Sequence, residues 1–297
     1  MLDSVQMIRI SAMTRRLPRS FRAAALVAIA TAVATSGCAI NQQREVEIGT
    51  DYAKQVEQQL PIIRDAEIVR YINLLGDSLA RVTDTRGLDW SFAVVDDMTL
   101  NAFAIPGGFI FINRGLVAKA TSLAQVAGVL GHEIGHVTKR HSVKQMQQRQ
   151  GTAFGVAAVC VLTDACNSGA AQSAIDLAAG GVFSKFSRDD EAEADREGIE
   201  TAIRAGIDPN GVPELFQLLL DERKSRPTGV ETFFISHPLE ESRISATRQL
   251  IATVPPERLR GLVRDNPAFQ AFKRRLAALP PSPEKKPAAP AKPPGAR

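Results

Sequence analysis

The 297-residue sequence is poor in several residue types: three cysteines, four histidines, one tryptophan and 5% aromatic side chains. Only Cys160 and Cys166 lie beyond the first 40 residues, so one small disulfide loop is the most that cysteine pairing could add; six-residue spacing does not choose between that loop and two buried thiols. No run of about twenty apolar residues occurs, as a membrane-spanning helix would need. Residues 23–34 are too short, and the Ala/Gly-rich residues 151–182 are interrupted by Thr163-Asp164 and Asn167-Ser168-Gly169. No repeat array appears that would build a peptide-repeat binding domain. An excess of positive charge is also missing outside the leader. Of 36 basic and 32 acidic side chains, five arginines and one aspartate precede Cys38, leaving 31 of each sign. That balance implies no basic binding patch and argues against nucleic acid. What remains, with 44% hydrophobic residues, suits one sizeable globular domain or two small ones.

The leader has a pattern of its own. Arg15, Arg16, Arg19 and Arg22 precede the apolar run over residues 23–34, and Thr35-Ser36-Gly37-Cys38 closes it. This arrangement resembles a lipoprotein signal peptide over residues 1–37, with Thr35 in place of the commoner leucine. Met13 is an alternative start. The resemblance implies lipidation at Cys38, a membrane anchor, and, with Ala39 following, sorting to the periplasmic side of the outer membrane.

Three of the four histidines fall within residues 122–141, SLAQVAGVLGHEIGHVTKRH. Ser122 is placed to cap a helix and Gln125 to reach back to it. Val126, Val129, Leu130, Ile134 and Val137 then recur at helical spacing. On such a helix His132 and His136 project from one face and can bind one zinc ion, with Glu133 beside them to act on a water there. His141 falls on a different face and reads as structural rather than as a ligand. Two histidines need a third protein ligand. Residues 187–198, SRDDEAEADREG, offer carboxylates at helical spacing, although such a run is usually a solvated face. Glu191 and Asp195 share one face, and Glu193 and Glu197 share another, so periodicity leaves both pairs open.

Around these motifs the pattern is mainly helical. Glu45, Val46, Ile48, Tyr52, Val56 and Leu60 outline a helix that Pro61 ends, and Ile68, Val69, Ile72, Leu75 and Leu79 outline a second. Residues 90–95 carry strand formers. Residues 103–105 and 109–112 flank Pro106-Gly107-Gly108 as a hairpin, whose edge could hold an extended peptide by backbone hydrogen bonds. Residues 209–220 and 239–252 read as closing helices. Seven of the 17 prolines lie beyond Leu279, so residues 280–297 read as a disordered tail.

HEIGH at residues 132–136, EAEAD at 191–195 and NAFAIPGG at 101–108 together resemble the HtpX and CAAX prenyl protease family of zinc metallopeptidases, over residues 47–248. The resemblance implies an α+β, mainly helical domain over residues 38–279, with a small sheet beside the zinc helix. It implies one Zn2+ per chain held by His132, His136 and Glu191, with Asp195 behind a ligand imidazole and Glu133 as general base. Asn101, Ala102, Phe103, Gly107 and Gly108 would meet the substrate. His237, in Phe233-Phe234-Ile235-Ser236-His237-Pro238, would either steady the oxyanion or occupy the last zinc position and hold the enzyme latent. Arg243 is a second oxyanion candidate. The expected activity is endopeptidase cleavage of misfolded or unassembled envelope proteins, near the outer-membrane assembly machinery. Polytopic members carry membrane helices; this chain is expected to be soluble apart from its anchor. The rival readings are a latent lipoprotein assembly factor or chaperone with a capped zinc site, and a purely structural zinc lipoprotein.

Overall fold

A computed structural model describes residues 40–149, 185–227 and 230–283. The leader with Cys38, the Cys160 and Cys166 pair, residues 151–182 and the tail beyond residue 283 lie outside the described residues. Within them the chain is mostly helical with one small sheet, the α+β class expected. Among the described residues, no helix is long and apolar enough to cross a membrane.

Two helices come first, α1 (Gln42–Gln59) and α2 (Ala66–Arg81). Asp65 caps α2 by accepting from the amides of Glu67 and Ile68, which satisfies donors that a helix start leaves open. Ile68, Ile72, Leu75 and Leu79 are buried as the spacing predicts, whereas Val69 is 38% exposed. In α1 the expected stripe is displaced. Glu45, Gly49, Ala53 and Val56 are buried, while Val46, Ile48 and Tyr52 are only partly covered. The cause is a close approach: a Cβ on Gly49 would lie 1.8 Å from the carbonyl oxygen of Pro106. A hairpin turn thus rests on the helix where a larger residue could not fit.

That turn joins β2 (Ala102–Ile105) to β3 (Phe109–Asn113), with β1 (Ser91–Val95) completing a sheet of order β1-β3-β2. Gly107 and Gly108 take φ of 87° and 105°, values that L side chains rarely adopt. β1 runs parallel to β3 and β2 antiparallel. The outer edge of β1 is covered, because Ile63 donates to Val94 O and Asp96 donates to Pro61 O. β2 forms the other edge.

After α3 (Arg114–Lys119) comes α4 (Leu123–Thr138), buried along its length from Leu123 to Val137. It packs on α2, on β2, on α5 (Arg188–Arg204) and on α6 (Gly211–Ser225). The expected Ser122 and Gln125 capping pair does not form. Gln125 accepts from the Thr121 amide, while Asp265 accepts from the Leu123 amide and the Arg264 carbonyl from Ala124. A distant loop therefore caps this helix. At its other end Arg140 turns left-handed, φ 59°, and a new helical stretch runs over residues 141–149. Beyond α6 lie α7 (Glu231–Ser236), α8 (Glu241–Ala252) and α9 (Pro267–Ala277). Arg114 donates to the carbonyls of Leu279 and Pro280, and Ser282 to Asp96, so residues 280–282 are tied to the domain rather than free of it.

One ionic cluster joins α1 to the end of α4. The fully buried Glu45 carboxylate accepts from Arg86 Nη1 at 2.9 and 3.1 Å and from Arg140 Nε at 2.7 Å. Arg86 Nη2 also donates to Val137 O, and Arg140 Nη2 to Ile40 O. Removing the acid would leave two guanidinium groups without their shared counter-charge. Glu45→Ala is expected to lower unfolding free energy by about 3 kcal/mol, read from urea denaturation. A loss below ~1 kcal/mol would show that solvent replaces the carboxylate adequately.

Candidate metal centre

The centre depends on how closely α4 and α5 approach. A Cβ on Gly198 would sit 3.0 Å from His132 N, and one on Gly135 would sit 3.2 Å from Ala194 Cα. Glycine and alanine at these crossings let the two backbones nearly touch. α5 starts with a reciprocal capping box, in which Ser187 accepts from the Asp190 amide and Asp190 accepts from the Ser187 amide. Its phase then turns Glu191 and Asp195 inward, 1% and 5% exposed. Glu193 and Glu197 face Lys139 instead. The choice that periodicity left open is thereby settled in favour of the first pair as the inward one.

Four buried side chains converge. His132, His136, Glu191 and His237 each offer one ligand atom, and these atoms lie within 4.8 Å of one another. His132 Nε2 is 3.0 Å from His136 Nε2 and 3.4 Å from His237 Nδ1. Glu191 Oε1 is 3.4 Å from His136 Nε2 and 3.0 Å from His237 Nδ1. An ion with four tetrahedral bonds of about 2.0–2.2 Å holds its ligand atoms roughly 3.4 Å apart, so this set fits such an ion. Charge leads to the same conclusion. Glu133, Glu191 and Asp195 are all buried, while Arg243 supplies the guanidinium that pairs with two of them. Three buried carboxylates thus face one guanidinium, an excess of acids over fixed cations that a bound cation would offset.

Each group around the cluster has an identifiable support. Asp195 Oδ1 lies 3.0 Å from His132 Nδ1. Arg243 grips Asp195 with Nε and Nη2 at 2.9 and 2.6 Å, approaches Glu191 Oε2 with Nη1 at 2.5 Å, and donates to Pro238 O. Its planar fork is directed at the two acids and a carbonyl, a placement that favours holding Glu191 and Asp195 over meeting an oxyanion. Phe186 stacks on His136 at 4.0 Å, and Phe233 stacks on His237 at 5.0 Å between centroids. Sequence reasoning missed Phe186, although it sits immediately before the Ser187 cap. It also missed that His141 Nδ1 lies 2.9 Å from His136 Nδ1, because the bend at Arg140 has no periodicity to reveal it.

Glu133 lies on the β2 side. Asn113 N donates to Asn101 O, so alternation along an antiparallel strand directs the backbone groups of Ala102 and Ala104 to the free edge. Burial raises the Glu133 carboxyl above the ordinary carboxylate range, with His237, His132 and the Ala104 backbone amide opposing. His237 Nε2 lies 3.5 Å from Glu133 Oε1. Burial works against charge on His237, but Glu133 and Glu191 outweigh it and raise its pKa. Burial holds His136 well below the usual histidine range, against the pull of Glu191. Of the residues expected to meet substrate, Phe103 is half-buried on β2, Asn101 and Ala102 are buried, and Gly107 and Gly108 lie in the turn against Val46 and Asp89. The glycines shape the strand from its far end.

Because the centre needs the close helix crossing, Gly198→Ala is expected to force α4 and α5 apart by a few tenths of an ångström. The expected cost is about 1–3 kcal/mol of stability, together with weaker metal uptake in a chelator competition. Unchanged metal affinity would show that the ligands tolerate the shift.

Comparison with known proteins agrees with this geometry. Residues 67–251 match peptidase family M48. The beta-barrel assembly-enhancing protease of Escherichia coli (strain K12) is 31% identical over 223 residues, covering 72% of this chain and 45% of that protein. Metalloprotease YcaL of the same organism is 26% identical over 235 residues, covering 79% and 85%. The mitochondrial metalloendopeptidase OMA1 of Schizosaccharomyces pombe is 27% identical over 219 residues, covering 69% and 62%. The chain spans about half the length of the beta-barrel assembly-enhancing proteases it matches. With both metal motifs inside the matched region and converging in space, the chain belongs to peptidase family M48.

Proposed function

We propose that this chain is a zinc metalloendopeptidase, with His132, His136 and Glu191 holding the ion and Glu133 as general base. The observation that carries the reading is the position of Glu133: a fully buried carboxylate beside three convergent ligands, on the side of the free edge of β2. A purely structural zinc site has no use for such a group. Bound zinc would supply a water of lowered pKa, about 7, and polarise a peptide carbonyl. Glu133 takes the proton of the attacking water and returns it to the leaving amine nitrogen. A substrate strand pairing with β2 would lie along Ala102 and Ala104, past Phe103. Asp195 fixes the tautomer of His132, and Arg243 holds Asp195 and Glu191 in place.

His237 gives the resting enzyme its character. Its Nδ1 completes the ligand cluster, in the position a catalytic site leaves for water, and this favours latency over oxyanion stabilisation in the arrangement seen. A capped site is also what the assembly-factor reading requires, so the two readings differ in how often the cap opens. We further propose lipidation at Cys38 and action on unassembled envelope proteins at the outer membrane. The lipobox-like leader, the HtpX and CAAX prenyl protease motifs and the names of the bacterial relatives support this setting.

Glu133→Gln is expected to retain one zinc per chain by elemental analysis and to lose at least about 100-fold in cleavage of an unfolded protein; near-normal activity in a clean preparation would sink the mechanism. His237→Ala is expected to keep zinc through the remaining three ligands and to raise activity. If the open form is about 10% populated, the gain is roughly tenfold. A fall would favour the oxyanion role, and an unchanged rate would dismiss both.

A further inference from the structure

We infer that His141 is a positioning residue that sets the tautomer of the ligand His136 by accepting its ring proton, and that Glu193 in turn fixes His141. This rests on the metal reading above. His141 Nδ1 lies 2.9 Å from His136 Nδ1, and His141 Nε2 lies 3.1 Å from Glu193 Oε2. Two ring nitrogens at that separation share one proton. For His136 to offer the Nε2 lone pair to a metal, its proton must sit on Nδ1, leaving His141 Nδ1 as the acceptor. The proton of neutral His141 then sits on Nε2, directed at a carboxylate, which accepts only. Every donor and acceptor along the line from Glu193 to His136 is thereby assigned.

The placement is built, not incidental. His141 is completely buried, while Glu193 is partly exposed and flanked by Lys139 and Lys144. The left-handed Arg140 brings His141 back under the ligand, and the Arg140 guanidinium is held by buried Glu45 and Ile40 O. His132 has a carboxylate, Asp195, at its Nδ1. His136 has a second imidazole instead, and that imidazole relays Glu193. Support at the outer nitrogen of a ligand histidine contributes about 10–100-fold in metal affinity.

The test separates a hydrogen-bond acceptor from a space-filler. Asparagine at position 141 keeps an oxygen near the Nδ1 position, whereas phenylalanine keeps ring volume without an acceptor. Zinc affinity, measured by chelator competition on the full chain, should fall at least about tenfold in His141→Phe and stay within about threefold of wild type in His141→Asn. Cobalt(II) spectra should shift in the former only, with metal-free melting temperatures reporting on folding. The idea is overturned if phenylalanine binds zinc like wild type, or if asparagine loses as much as phenylalanine. Should phenylalanine fail to fold, long-range proton–nitrogen NMR of the zinc-loaded wild type decides. His136 must carry its proton on Nδ1 and His141 on Nε2, and the reverse tautomer on His141 overturns the inference. Failure of the wild type to bind zinc would instead overturn the metal reading itself.

Discussion

Two helices can share one buried ion only if their backbones come close enough for short side chains to meet. At the crossing of α4 and α5, Gly135 faces Ala194, and Gly198 faces the backbone of His132. Larger residues there would move Glu191 away from His132 and His136, and Asp195, the other inward carboxylate of α5, faces His132 Nδ1 instead. The small residues of HEIGH and EAEAD are therefore part of the site, because they set the distance at which its ligands converge. The rest of the domain holds that crossing in position: α6 and α2 pack against α4, and Asp265 and Arg264 cap its start.

Close packing also concentrates negative charge. Three buried carboxylates within one cluster repel each other in a medium that screens poorly, and a single guanidinium from Arg243 does not balance them. This imbalance gives the site its demand for a cation and tunes the groups inside it. Burial lifts the Glu133 carboxyl above the ordinary carboxylate range, while Glu133 and Glu191 together raise the pKa of His237. The balance is reversed at the end of α4, where two arginines meet one acid. There one buried carboxylate, Glu45, gathers Arg86 and Arg140 and so fixes the bend that places His141.

How much of this was legible depended on whether the signal was local. Helical spacing within residues 122–141 and 187–198 showed which residues share a face, and the hairpin followed from Pro106-Gly107-Gly108. The partner of a buried charge lies far along the chain, so no window could show that Glu45 meets Arg140 or that Arg243 grips Asp195. The cap of α4 was misread for the same reason: Gln125 fits the local pattern, but Asp265 arrives from another loop. Helix α9 is a different case. Asn266 and Pro267 form a recognisable start, and Phe269, Phe272 and Leu276 recur at helical spacing.

His237 shows how one side chain can couple resting state to chemistry. Its two ring nitrogens face different partners, Nδ1 toward the ligand atoms and Nε2 toward Glu133. Under the proposed function, an imidazole so placed would stand where the nucleophile binds and against Glu133. One displacement of that ring would then open the last ligand position and free Glu133 together. His237 sits at the C-terminal end of the six-residue α7, with Phe233 stacked on its ring and Pro238 following. The Pro238 carbonyl is held by Arg243, the same residue that holds Glu191 and Asp195. The turn and the acids thus share one anchor, a single guanidinium on α8. Under the proposed function, a rotation of the His237 ring within that anchored turn would change the fourth ligand position alone, with His132, His136 and Glu191 left in place.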